Sequence, residues 1–336
     1  MKEKFKKGAK NAVKCMNIKE KDKVVVITDY EKEDIADAVI EEIRSKKAEI
    51  LKIIIEEEVG KRPVKNFPDK LKEKIKKFKP NVSYYIASAK KGEIGPFRQP
   101  LKGFLLEKFN CRHGHMVNID EKIMMQGMSA DYDKVYKINK HIHSILKKAK
   151  QIKVEAIGTI LTATFDKKVK WVNWNGRIYK QGGWGNLPDG EVFTCPKKVD
   201  GKISAYLVGD YFSDKYRILK SPLILEIENS RITKIESKNK KLKDEFTKYT
   251  KSEKNGNRVG EFSIGTLIGL KGFIGNMLQD EKFPGIHIAF GSPFPELTKA
   301  SWNSPNHVDV LPKKCNIWVD GKQIMKNGKF TLLRNA

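Results

Sequence analysis

Residues 23–47 read "KVVVITDYEKEDIADAVIEEIRSKK". Lys23–Asp29 is a short, β-branched apolar run of the kind that fills a buried strand. Behind it, Ile35, Ala36, Val39, Ile40 and Ile43 recur on one face of a helix. A buried strand followed at once by an amphipathic helix is half of a βαβ unit. The pattern then repeats. "AEILKIII" (48–55) is a second strand, and "FPDKLKEKIKKFK" (67–79) a second helix started by Pro68. "VSYYIAS" (82–88) is a third strand, "PLKGFLLEKFN" (100–110) a third helix, and "SADYDKVYKINKHIHSILKKAKQ" (129–151) a long amphipathic helix. Such alternation specifies a mainly parallel sheet with crossover helices. No GxGxxG follows the first strand and no GxxxxGK[ST] occurs, so the phosphate-cradling loops of dinucleotide and P-loop proteins are missing.

Past residue 150 the period changes. "KVEAIGTILTATFDKKVKWVNWNG" (153–176) reads as successive strands, and "LILEIENSRITKIES" (223–237) as a hairpin turning at Asn229–Ser230. "NIWVDGKQIMKNGKF" (316–330) carries Asp-Gly and Asn-Gly turns. Helical stretches are expected only around 241–250 and 263–277. The expected fold is therefore an α/β N-terminal domain with a mainly parallel sheet, residues 1–150. An α+β domain rich in antiparallel strands follows, residues 151–336, with the boundary near Lys148–Lys153.

The chain has 336 residues and a formal net charge of +26. The excess is lysine scattered along helices, with little arginine and no interleaved aromatics, so no specific nucleic-acid reader is expected. Four isolated cysteines form no CxxC, and the basic N-terminus has no apolar signal core. No apolar run is long enough to span a membrane. A cytoplasmic protein without disulfides is the expectation.

Chemistry-bearing residues gather in the second half. "NLPDGEVFT" delivers Glu191 to a strand start through the Pro188-Asp189-Gly190 turn. "GEFSIG" places Glu261 at the expected head of the 263–277 helix. "DEKFPGIHIAFG" sets Glu281 six residues before His287, which interrupts an apolar strand. "NSPNHVDVL" puts His307 and Asp309 two apart, hence on one face of a strand. Singly, each fits a hairpin, a first helical turn, a loop or a packed core histidine. Together they make a carboxylate–imidazole set suited to a hard or borderline divalent ion.

These four motifs, in this order, resemble those of the thermophilic metallo-aminopeptidases, the aminopeptidase T and S type related in activity to leucyl aminopeptidases. The likeness runs from about Ile160 to the C-terminus. It implies an N-terminal α/β domain, a C-terminal catalytic domain, two divalent ions (cobalt, zinc or manganese) and a homodimer acting on short peptides. Carried over motif by motif, the implied metal ligands are Glu191, Glu261, Glu281, His287, His307 and Asp309. Glu261 is also the preferred acceptor of the proton from the attacking water. One position departs: Phe294 stands seven residues after His287, where the family carries a tyrosine. The superfamily resemblance also extends to dihydroxypyridine ring-cleaving dioxygenases, in which His287, His307 and Asp309 would hold one Fe(II). A metal-binding homologue without activity is the third reading.

His113 and His115 ("RHGHM") lack a neighbouring acid cluster, so a loop or domain-interface role is expected for them. His141 and His143 point to different faces of a helix. Trp171, Trp174 and Trp184 are expected to pack a strand pair.

Overall fold

The computed structural model describes residues 3–209 and 211–331. The outermost residues of both expected domains, 1–2 and 332–336, lie outside it. The chain divides into two compact units, Met1–Tyr132 with Gly176–Asp189, and Asp133–Asn175 with Gly190–Ala336. The division is thus discontinuous, where the sequence suggested one cut near residue 150. Helix Tyr132–Leu146 explains the earlier crossing, since Ile138, Ile142 and Leu146 belong to the apolar core of the second unit.

The first unit opens with β1 (Lys23–Thr28), β2 (Glu49–Ile54), β3 (Val82–Ile86) and β4 (Arg112–His115). All pair in parallel, as the alternation of strand and helix requires. Helix Glu33–Arg44 buries Ile35, Ala36, Val39, Ile40 and Ile43, the stripe visible in the opening stretch. The chain then leaves for β5 (Gln151–Ala156), β6 (Thr159–Thr164) and β7 (Val172–Trp174), and returns to add β8 (Trp184–Asn186) beside β4. The finished sheet has the order β2-β1-β3-β4-β8.

Strands β9 (Glu191–Thr194), β10 (Lys198–Ala205), β11 (Leu207–Val208), β12 (Leu223–Glu228) and β13 (Arg231–Glu236) follow. The second unit is completed by β14 (Val259–Gly265), β15 (Gly285–Gly291), β16 (His307–Leu311), β17 (Asn316–Val319), β18 (Lys322–Lys326) and β19 (Lys329–Phe330). They form an eight-stranded sheet, β13-β12-β10-β6-β5-β17-β18-β19, and a six-stranded sheet, β11-β16-β15-β14-β9-β7. One apolar cluster draws on both, from Ile152, Leu161 and Leu225 to Phe262, Ile288 and Val310. Asn229 and Ser230, at φ 50° and 62°, turn the β12–β13 hairpin with both central residues left-handed.

Three expectations are corrected here. Residues 263–277 form no helix. β14 runs through Gly265, and the next helix is the single turn Met277–Asp280. Glycines spaced through 263–277 weaken a helix, and pairing of β14 to strands on both sides settles the conformation. His113 and His115 lie not in a loop but in β4, buried in the parallel sheet, where His113 Nδ1 meets Ser83 Oγ at 2.9 Å and its Nε2 meets His115 Nδ1 at 3.2 Å. Trp174 and Trp184 do not share a strand pair: β7 and β8 belong to different sheets.

Candidate metal centre

Strand periodicity builds the centre. In the six-stranded sheet Glu191 lies opposite Gly265, Ser263 opposite His287, Glu261 opposite Ala289, Asp309 opposite Ala289 and His307 opposite Gly291. These positions are all odd-numbered and share one face. The even-numbered positions between them, Val192, Phe262, Ile264, Ile286, Ile288, Phe290, Val308 and Val310, enter the apolar core. A single alternation therefore packs the unit and displays its acids and imidazoles together. The small residues Gly265, Ala289 and Gly291 leave room between them. At Gly291, φ is +106° and a Cβ would lie 2.1 Å from the Asn306 carbonyl oxygen, so only glycine lets β16 approach.

The donor atoms close a ring. His287 Nε2 lies 3.3 Å from Glu261 Oε1, and Glu261 Oε2 lies 3.7 Å from His307 Nε2. His307 Nε2 is 3.5 Å from Asp309 Oδ1, which is 3.8 Å from His287 Nε2. Glu191 joins through Oε2, 3.6 Å from His287 Nε2. Ligand bonds of about 2.0–2.2 Å put neighbouring donors roughly 3–3.5 Å apart around one cation. The observed spacings come within a few tenths of an ångström of that.

The surroundings orient these groups. His307 Nδ1 donates to the Ser292 carbonyl at 3.1 Å, which leaves Nε2 to face the acids. The Nδ1 of His287 is buried without a hydrogen-bond partner among the described residues. Its Nε2 is aimed at three carboxylates, on Glu191, Glu261 and Asp309. Burial works against charge on His287, yet Glu261, Asp309 and Glu191 raise it to about 9. His307 rises to about 10, with Asp309 and Glu261 again overcoming burial. Asp309 is pulled below the usual carboxylate range; burial opposes the shift and His307 and His287 outweigh it. A cluster that draws protons this strongly is one that attracts cations. Its buried carboxylate and imidazole donors fit a divalent ion.

Glu281 stands apart from the ring. It caps the turn Met277–Asp280 and pairs with Lys282 at 2.7 Å, and burial raises its carboxyl above the ordinary value while Lys282 opposes the shift. Lys282 also pairs closely with Glu191 Oε1, with a side chain only 1% exposed. Sequence reasoning missed Lys282, although it directly follows Glu281 in "DEKFPG". It missed Asn139 too. That buried amide donates to the Trp174 carbonyl at 2.7 Å, the Glu191 carbonyl at 2.9 Å and Thr266 Oγ1 at 2.9 Å, which fixes the start of β9. An asparagine on an amphipathic helix gives no sign of such a task.

Aromatic rings line one side. Trp174 packs edge-on against Phe193, Phe193 against Phe294, and Phe294 lies 4.7 Å from the His307 ring. Phe294 has φ 48°, an uncommon conformation for a bulky residue. It contributes apolar surface to the centre and no hydroxyl.

A family model described as thermophilic metalloprotease (M29) matches residues 115–330. No curated protein matches the chain. Two solved structures are similar over nearly the whole length. One is a 2,5-dihydroxypyridine dioxygenase from Pseudomonas putida KT2440, with TM-score 0.70 and 16% identity, covering 98% of this chain and 97% of that one. The other is wild-type AmpT from Thermus thermophilus, with TM-score 0.71 and 15% identity, covering 98% and 99%. At such identities the likeness is one of fold.

Proposed function

The chain belongs to the thermophilic metalloprotease family M29, and from that premise we propose that it is a metal-dependent aminopeptidase acting on short peptides. The observation that carries the reading is the closed ring of His287, Glu261, His307 and Asp309 on one face of a buried sheet. In this reading those four residues, with Glu191 Oε2, hold the metal. A divalent ion in such a site supplies an activated water and polarises the scissile carbonyl. Glu261 has an oxygen toward each imidazole, which places it to take the proton of the attacking water. The hydrogen bond from His307 Nδ1 to the Ser292 carbonyl keeps a proton on Nδ1, so that Nε2 is the nitrogen that would give up its proton to a bound cation. The rings of Trp174, Phe193 and Phe294 offer an apolar wall for a substrate side chain. The test is hydrolysis of a dipeptide panel by protein loaded with cobalt, zinc or manganese. Release of N-terminal residues, lost in Glu261→Gln, is expected; a Gln variant with wild-type turnover would remove Glu261 from the mechanism.

A second reading rests on Phe294. Without a phenol at that position the ring has no side-chain hydroxyl there to meet a developing oxyanion. Two histidines and one aspartate are the donor set of a mononuclear iron oxygenase. Anaerobic reconstitution with Fe(II) followed by oxygen uptake on a dihydroxypyridine separates the two.

A further inference from the structure

Lys282 divides the centre. Resting on the metalloprotease reading, we propose that the Lys282 ammonium is a resident cation in the place of a second metal ion. The centre then takes one divalent ion, where the resemblance implies two.

A two-ion site sets its metals about 3.5–4 Å apart and needs carboxylates that offer oxygens to both. The acids here are already shared out. Glu191 Oε1 is paired with Lys282, and Glu191 Oε2 accepts the Ser263 hydroxyl at 3.0 Å. Glu281 Oε1 is 2.7 Å from the same ammonium. The nitrogen thus sits between the two glutamates that a second ion would join. A divalent ion bound to those oxygens would lie against a buried like charge, with little water to screen it. The other donors, on His287, His307, Asp309 and Glu261, make a ring that Glu191 reaches only through Oε2, 3.6 Å from His287 Nε2.

The lysine is anchored. Its backbone nitrogen donates to the Gln279 carbonyl at 3.0 Å, and its carbonyl accepts from Leu267 at 3.0 Å. Its ammonium lies 5.7 Å from the centre of the Trp174 ring. Buried cations persist where they are paired, and here the pairing uses two of the six residues that the resemblance assigns to metal.

Counting metal tests the proposal without reference to catalysis. Full-length protein is stripped with chelator, loaded with excess Mn(II), desalted and measured for manganese per chain. Electron paramagnetic resonance then reports whether the ions are isolated or coupled. Wild type is expected to hold one isolated ion. Lys282→Met keeps most of the side-chain length without the charge, frees both glutamates, and is expected to hold two. Lys282→Arg is expected to hold one. Two coupled ions in wild type would overturn the proposal while leaving the peptidase reading intact. One ion in a folded Lys282→Met would overturn it as well. No bound ion in wild type would sink both. The wild-type count decides the matter if Lys282→Met does not fold, as its circular dichroism would show.

Discussion

At the scale of the residue, the two halves of the chain treat histidine in opposite ways. His287 and His307 face carboxylates and are raised; His113 faces Ser83 and His115 and is held neutral, pushed down to about 3 by burial with Lys102 adding to it. This difference has a consequence for stability. Above about pH 6.5 His113 is neutral folded or unfolded and contributes no pH dependence. Below it the unfolded chain takes a proton that the folded chain refuses, so stability falls with pH down to about 3. The slope from this one group is about 1.4 kcal/mol per pH unit. His115 shifts in the same direction. His113→Gln is therefore expected to flatten the acid loss, measured by urea unfolding at several pH values between about 4.5 and 7. At neutral pH it is expected to cost about 1–3 kcal/mol through its lost hydrogen bonds. In the candidate metal centre, on the proposed aminopeptidase reading, Glu261→Gln is expected to lower peptide turnover by roughly 10²–10⁴-fold, read by steady-state kinetics. The residue types at Glu191, Glu261, His287, His307 and Asp309 were legible as donors from local motifs. The pairing of Lys282 with Glu191 was not, because ninety-one residues separate them.

At the scale of the element, period two does most of the organising. From Glu261 onward in β14, and in β9, β15 and β16, the acids and imidazoles sit at odd positions and the core side chains at even ones, while a register shift before Glu261 turns Val259 to the core. A substitution that disturbs strand approach should therefore damage stability and metal binding together. Gly291→Ala would drive a Cβ into the Asn306 carbonyl and shift His307, which lies opposite it. It is expected to cost at least about 1–3 kcal/mol and to weaken Mn(II) affinity, by thermal unfolding and calorimetric titration respectively. The strands around 153–176, 223–237 and 316–330 were legible from alternation and turn residues. The stretch 263–277 was misread, since an apolar run with evenly spaced glycines suits a weak helix as well as a strand and loop. Only the ladders to β9 and β15 distinguish them.

At the scale of the whole molecule, charge and metal give the testable properties. The surplus of lysine makes general affinity for polyanions an expected outcome. Retention on heparin should fall steeply with salt and show no sequence preference toward nucleic acids. A metal that binds only the folded chain at about a hundred times its Kd adds about 2.7 kcal/mol. For a protein of this size that corresponds to a rise of roughly 4 °C in Tm. Chelation should reverse it, and differential scanning fluorimetry with and without EDTA reads both. A homodimer is the proposed assembly, and light scattering after gel filtration would report its mass.

The sequence by itself determined most of the succession of elements, the parallel character of the first sheet, the antiparallel character of the second half and the carboxylate and imidazole residue types available to the candidate centre. Each of these is written in local spacing, which hydrophobic burial reads directly. Tertiary structure alone decided how the donors are shared. The Ser292 carbonyl sets the tautomer of His307, Asn139 fixes the start of β9, and Lys282 claims Glu191 and Glu281. Those roles depend on charges and hydrogen-bonding groups from distant segments meeting inside a buried site, where each must find a partner, and no local period records which partner that is.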